Sequence, residues 1–322
     1  MDSNIFLICS ERSGSNLITK IINTHPDYSG PSPAHLFRAF LKKEDSRYYG
    51  SKPNLLNDVK ELWNLKMSDW LYKWNDKDFD EAINAAQIIN TIYSKEAQLR
   101  GKKHSFIKEV KTYKLFEDLL QNFPNSKFVL SVRDPRDMAL SWSKDPVLRG
   151  GVIRASNTWL EDQTAALSLI LRYSDRIAFI RYEDLLANTE ITLKGMCDKL
   201  GINFSRHMLQ HTSKNDENEQ LDTVSWQNLA KPLMTNNYQK FITELREDQI
   251  EYIEQKCSGL MEVFGYKSVI DKANWQNMGD LEEDLRKEER YEKEEYMQVV
   301  PIEERSKREK WMQCFRKIKD RT

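Results

Sequence analysis

Five consecutive apolar residues, Ile5 to Cys9, form the first readable element of the chain. An unbroken run of that length is the pattern of a strand buried on both faces in a parallel sheet, whereas a half-exposed strand alternates apolar with polar. Leu17, Ile18, Ile21 and Ile22 follow at helical spacing, so the chain starts as strand, short glycine-containing loop, helix. Pro26, in His25-Pro26-Asp27, ends that helix. Phe106 to Val110, Lys127 to Val132 and Ile177 to Ile180 repeat the strand signature. Leu115, Leu119 and Leu120 predict a short helix, and Asp134 in capping position before Pro135 predicts another from about Pro135 to Lys144. Trp159, Leu160, Leu167, Ile170 and Leu171 mark a longer helix; Leu193, Met196 and Leu200, then Ile250, Ile253, Cys257, Leu260 and Phe264, mark two more.

This alternation predicts an α/β class, a P-loop-like three-layer fold around a central, mainly parallel sheet joined by right-handed crossovers. A helical stretch from about residue 36 to 100, rich in Trp and Tyr (Tyr48, Tyr49, Trp63, Trp70, Tyr72, Trp74, Tyr93), separates the first two strand candidates and reads as an insertion covering the sheet. Residues 1–270 then form the main domain and 271–322 a charged helical extension. No internal repeat is visible.

Charge alters this picture only locally. The 322 residues carry 49 Lys and Arg against 50 Asp and Glu, a net charge of -1, which argues against a surface that coats nucleic acid or an anionic membrane. No run approaches the ~20 apolar residues of a membrane span. From Asp271 to Thr322 there are 13 basic and 14 acidic residues among 52, so the tail inflates the charged fraction of 31%. Cys9, Cys197, Cys257 and Cys314 are scattered, with no CxxC pair and no Cys/His cluster at zinc spacing. Together with the absence of a basic segment leading into a long apolar stretch, this suggests reduced thiols in a cytoplasmic protein, and no metal.

Candidate chemistry gathers at the strand ends. A glycine loop between a buried strand and a helix offers backbone N–H groups and the positive helix end to an anion; here the loop also carries Arg12, Ser13, Ser15 and Asn16 around Gly14. The GxxxxGK[ST] pattern of Mg-nucleotide kinases is missing, since no Lys-Ser or Lys-Thr follows Gly14. A short glycine loop alone is equally compatible with a tight turn. A second feature shifts the balance: Arg133 stands at the carboxyl end of a buried strand, where open α/β sheets bind ligands, and Ser141 lies about two helical turns further on. The bland alternative pairs Arg133 and Arg136 with Asp134 and Asp137 at the surface.

These segments resemble the sulfotransferases that use 3'-phosphoadenosine 5'-phosphosulfate (PAPS). FLICSERSGSNLI is similar to the family's 5'-phosphosulfate loop, FVLSVRDPRDMALSW to its 3'-phosphate strand and helix, and RYEDLL at Arg181 to Leu186 to its Tyr-Glu-Asp segment near the adenosine. The likeness spans roughly Asn4 to Tyr266. The Arg12 form of the loop is similar to the carbohydrate, tyrosylprotein and bacterial members.

The resemblance implies PAPS as donor, gripped by Arg12, Ser13, Gly14, Ser15 and Asn16 at the 5' end and by Arg133 and Ser141 at the 3'-phosphate, with Tyr182 and Lys231 toward the nucleotide and Ser225 and Asn237 as neighbours. It implies catalysis by Arg12 and Lys108 on the departing phosphate, without metal. The acceptor's general base would come from the loop after the first helix, where relatives place Glu or His; Gly30-Pro31-Ser32-Pro33-Ala34 holds no Glu, which points to His35, with Glu109 and His104 as runners-up and His25 as structural. The acceptor would be a hydroxyl or amine of a small molecule, a saccharide or a lipid-linked compound; Trp63, Trp70 and Trp74 are candidate contacts, although aromatics at helical spacing are more often core. Two other readings stay open, a P-loop-like nucleotide-binding or kinase-like protein and a catalytically silent PAPS-binding relative. In the tail, 280–295 reads as an exposed helix laced with ion pairs. Trp311, Phe315 and Ile318 then form an apolar stripe that docks either on the chain's own body or on a second copy, as a homodimer.

Overall fold

The computed structural model describes residues 4–41, 51–67, 70–210, 236–290 and 294–320. Five strands form one parallel sheet: β1 (Ile5–Cys9), β2 (Tyr28–Ser29), β3 (His104–Lys108), β4 (Lys127–Val132) and β5 (Ile177–Arg181), in the order β2-β3-β1-β4-β5. The register runs from Ile5 opposite Lys127 to Cys9 opposite Ser131, and from Ile5 opposite Phe106 to Leu7 opposite Lys108. Four strands coincide with the apolar runs, β3 starting two residues earlier than the run predicts. The fifth, β2, is only two residues long and sits in a polar stretch, so no periodicity marks it.

Every residue of β1 is buried because helices cover both faces of the sheet. Phe6 and Ile8 pack with Phe128, Leu130 and Val132 into a large core shared with the helices Leu36–Phe40, Lys52–Asn64, Ala85–Leu99, Pro135–Lys144, Val152–Arg172 and Glu247–Val263. Ile5, Leu7 and Cys9 point the other way, into a smaller core with the helices Ser15–Asn23, Tyr182–Ala187 and Thr189–Leu200. This is the expected three-layer α/β architecture.

Trp63 and Trp70 are almost fully buried, their rings meeting edge to face at 4.8 Å, and the Trp70 indole N–H donates to the Ser32 carbonyl at 3.2 Å. Trp74 packs on Phe79, and its N–H donates to Asp76. Trp63 and Trp70 are therefore core, as helical spacing of large apolar side chains favours, and not acceptor contacts, while Trp74 is half-buried against the same core and Tyr48 and Tyr49 lie outside the described residues. The tail's apolar stripe lies on the chain's own body: Cys314, Phe315 and Ile318 of the helix Ile302–Asp320 join the larger core against the helices Leu36–Phe40 and Lys52–Asn64, and Lys317 pairs with Glu61 at 3.2 Å. Among the described residues no helix is long and apolar enough to cross a membrane.

Candidate active site

From β1 the chain moves outward to β2, returns as β3 and crosses to β4 on the other side, so the carboxyl ends of β3, β1 and β4 border the crevice where such sheets bind ligands. A cleft of about 1650 Å³ opens there, lined by Arg12, Gly14, His35, Lys108, Arg133 and Ser141 among others.

The loop after β1 turns tightly. Ser13 spends its hydroxyl on the Ser10 carbonyl at 2.6 Å and its amide on the same oxygen at 3.4 Å, so Ser13 closes the loop. Gly14 adopts a left-handed φ of 81°, and a Cβ there would lie 2.2 Å from the Tyr182 ring. Both facts demand glycine. Gly14 also has no side chain to cap the helix Ser15–Asn23, so that helix starts with first-turn N–H groups that no N-cap side chain satisfies. Arg12 is likewise left-handed, at φ 63°, which lifts its side chain across to the helix after β4. Its Nε donates to Ser141 Oγ at 3.0 Å, and its guanidinium pairs with Asp145 at 2.8 Å.

Arg133, at the end of β4, is 7% exposed. Its terminal nitrogens donate to the carbonyls of Arg12 (3.0 Å) and Asn237 (3.3 Å), its Nε has no partner, and its guanidinium lies over the Tyr182 ring at 4.7 Å. Tyr182 is thus sandwiched between Gly14 and Arg133 with its hydroxyl accepting from the Asn237 amide at 2.9 Å. Its place in the fold is to set the distance between the loop after β1 and the end of β4. Of the surface pairings that the bland alternative foresaw, only Arg136 with Asp134 is present, and it is buried, with Glu254 as a second partner of Arg136. Asp137 instead accepts the backbone N–H groups of Gln239 and Phe241, pinning the segment that brings Asn237 onto Arg133. Glu183, whose carboxyl burial pushes upward in pKa, accepts from the Asp134 amide and from the Tyr266 hydroxyl, both at 2.9 Å. The RYEDLL segment therefore braces the loop after β4.

On the opposite flank, Lys108 ends β3 and donates to Asn16 Oδ1. Burial, with some repulsion from Arg12, pushes its ammonium pKa down to about 8. The neighbouring Glu109 is 1% exposed, and neither of its carboxylate oxygens has a hydrogen-bond partner. His35, left-handed at φ 57° where it starts the helix Leu36–Phe40, places Nδ1 3.7 Å from Glu109 Oε2. Its ring also meets the edge of Trp311 at 6.0 Å.

The cleft thus gathers Arg12, Gly14, Ser15, Asn16, Lys108, His35, Arg133, Ser141 and Tyr182. His104 is excluded: it stands at the opposite end of β3 and packs on Tyr28. His25 is structural, its Nδ1 accepting from the Asp27 amide and its Nε2 donating to the Asn203 carbonyl. Lys231 and Ser225 lie outside the described residues. Asp145 and Trp311 were missed, since neither belongs to a local motif; an apolar stripe in a charged tail was the only signal for Trp311.

Residues 4–206 match the model of the Sulfotransferase family. The chain belongs to the sulfotransferase family. Among solved structures it is similar to the sulfotransferase domain of the curacin biosynthetic pathway, with a TM-score of 0.57 and 16% identity over 83% of this chain and 99% of that one. The sulfotransferase domain of the Synechococcus PCC 7002 olefin synthase gives 0.59 and 17%, over 83% and 95%. Mouse sulfotransferase SULT7A1 complexed with PAP gives 0.49 and 15%, over 89% and 90%. No curated protein matches the sequence. At these identities the likeness of this sulfotransferase to solved structures concerns fold.

Proposed function

We propose that this sulfotransferase moves a sulfonate group from PAPS to a hydroxyl or amine of a small-molecule, saccharide or lipid-linked acceptor. The observation that carries the reading is Arg133, a buried cation with an unpartnered Nε, set beside Ser141 and one strand away from the uncapped glycine loop. Two anion-binding positions at adjacent strand ends suit a nucleotide with phosphates at both its 3' and 5' positions. Arg133 and Ser141 would take the 3'-phosphate. Gly14, Ser15 and Asn16 would take the 5' end through backbone N–H groups, with Lys108 beside them. Arg12 bridges the two positions through Ser141.

In the transfer, the acceptor oxygen or nitrogen forms a bond to sulfur while the bond from sulfur to the 5'-phosphate oxygen breaks. Negative charge builds on that departing oxygen, and Lys108 is the nearby cation suited to stabilise it. At pH 7, a pKa near 8 leaves about nine-tenths of Lys108 charged. The acceptor's proton goes to His35: with Nδ1 turned to Glu109, Nε2 is the nitrogen left for it. Glu109, whose Oε2 faces Nδ1 at 3.7 Å, is the positioning residue.

Calorimetric titration with 3'-phosphoadenosine 5'-phosphate (PAP) against ATP tests the donor assignment. Charge-assisted hydrogen bonds to the 3'-phosphate, at about 1.5–3 kcal/mol each, should favour PAP over ATP by at least about tenfold. Equal affinities would support the nucleotide-binding, kinase-like alternative.

A further inference from the structure

The helix Ile302–Asp320 lies beyond the residues matched by the family model, yet it borders the same cleft. Trp311 meets His35 edge-on and stacks on Phe315 at 5.0 Å with an interplanar angle of 14°. Phe315 in turn carries the Arg38 guanidinium over its ring at 5.2 Å. The helix is anchored by Cys314, Phe315 and Ile318 in the main core, so Trp311 is held on rigid secondary structure one side chain from the candidate base. Arg308 stands one turn before Trp311 and shares the cleft lining with Arg38, Met67 and Met312.

We propose that this tail helix is a wall of the acceptor pocket and that the acceptor it fits is an amphipathic anion, an apolar body bearing its hydroxyl near His35 and a carboxylate or phosphate at the outer end. Trp311 and Met312 pack against the body, and Arg38 and Arg308 meet the anionic group. The wall beside His35 is aromatic and thioether, which desolvates an apolar body. The charges that line the cleft around it, on the helices Leu36–Phe40 and Ile302–Asp320, are both cationic. Of the buried acidic groups nearby, Glu304 is held by Arg308 at 2.7 Å and Glu109 faces His35 at 3.7 Å and not the two arginines. Glu304 holds Arg308 only through Nε and Nη2, so an anionic acceptor would meet Arg38 and the outer edge of Arg308 where a neutral acceptor of the same shape would not, and the pocket distinguishes acceptors by charge as well as by shape.

This inference rests on the sulfotransferase reading, and the test separates the two. PAP is titrated first, into wild type, Trp311→Ala and Arg308→Gln. Then 6-hydroxy-2-naphthoate and 2-naphthol, matched in ring and hydroxyl, are titrated into each PAP complex and followed by naphthol fluorescence. The expected result is a PAP affinity within twofold in all three proteins. Naphthoate should bind wild type at least tenfold more tightly than naphthol. Arg308→Gln should cut that preference to threefold or less, and Trp311→Ala should weaken both ligands about tenfold. Failure of PAP to bind the wild type would overturn the donor reading itself. If PAP binds, the wall is disproved by naphthoate that fails to bind or that binds Trp311→Ala as it binds wild type. Equal affinities of wild type for the two ligands would disprove the anion preference. 6-Phosphonooxy-2-naphthol in place of the carboxylate then tells which anionic group the two arginines prefer.

Discussion

Around Gly14 the cleft is made of strand ends and the turns that follow them; around His35 it is made of segments more than 250 residues apart in sequence. On the Gly14 side, Arg12, Gly14, Arg133, Ser141 and Tyr182 come from three strand-to-helix junctions of one sheet, and each touches at least one of the others. On the His35 side, a left-handed residue at the start of a five-residue helix, a carboxylate at the end of β3 and an indole from the last helix are brought together by the packing of the larger core. The first side is fixed by local chain geometry and the second by tertiary packing. A fold can therefore keep the first constant while the second changes with each inserted or appended helix.

Substitutions that act on one side and not the other would sharpen this division, and ones that act on both would break it. The largest effect is expected from His35→Ala, which removes the proposed base and should lower kcat by about 10²–10⁴ while leaving PAP affinity unchanged. Steady-state kinetics and PAP calorimetry on the same preparation check it; an unchanged kcat and pH profile would remove His35 from the reaction. Next is Arg133→Ala, expected to weaken PAP by about a hundredfold through loss of charge-assisted contacts. An unaltered PAP affinity would detach Arg133 from the donor. Gly14→Ala places a methyl group against the Tyr182 ring at a left-handed φ and should cost about 2–5 kcal/mol of stability. Urea unfolding measures this, and the double variant Gly14→Ala, Tyr182→Ala should regain the steric part.

The smallest effect is in the pH profile. Lys108 has its pKa pushed down to about 8, so its cation is present below pH 8 and is lost as pH rises through that value. If that charge stabilises the leaving oxygen, kcat should decline above about pH 8, by about threefold to tenfold between pH 8 and 9. In Lys108→Met the alkaline limb should vanish, from a lower plateau. A limb that persists in Lys108→Met would assign it to another group.

The same division explains what could be read in the sequence. Apolar runs, unbroken in Ile5–Cys9 and Ile177–Ile180 and interrupted by single polar residues or a pair of them in the other two, marked four of the five strands because helices cover the sheet; Tyr28 and Ser29 carry no such signal in a two-residue edge strand. Arg12, Gly14, Arg133 and Ser141 were legible because backbone geometry ties them to consecutive positions in strand, turn and helix. The work of Tyr182 was not, since its contact with Gly14 joins β5 to β1 across the sheet. Trp63 and Trp70 show the limit from the other direction: an aromatic side chain at helical spacing reads the same whether it faces a core or a ligand, and only packing shows that both are core. Trp311 needed the whole fold, because nothing near it in sequence indicates that its helix returns to His35.

Whether the two sides meet to transfer a sulfonate group is measured by release of PAP from PAPS with and without acceptor. Wild type is predicted to release PAP in an acceptor-dependent manner, with label from the sulfonate appearing on the acceptor, and Arg133→Ala and His35→Ala are predicted to lose this. Tight PAP binding with no label transferred to any hydroxyl or amine acceptor, anionic or neutral, would contradict the claim and leave a PAPS-binding protein without turnover.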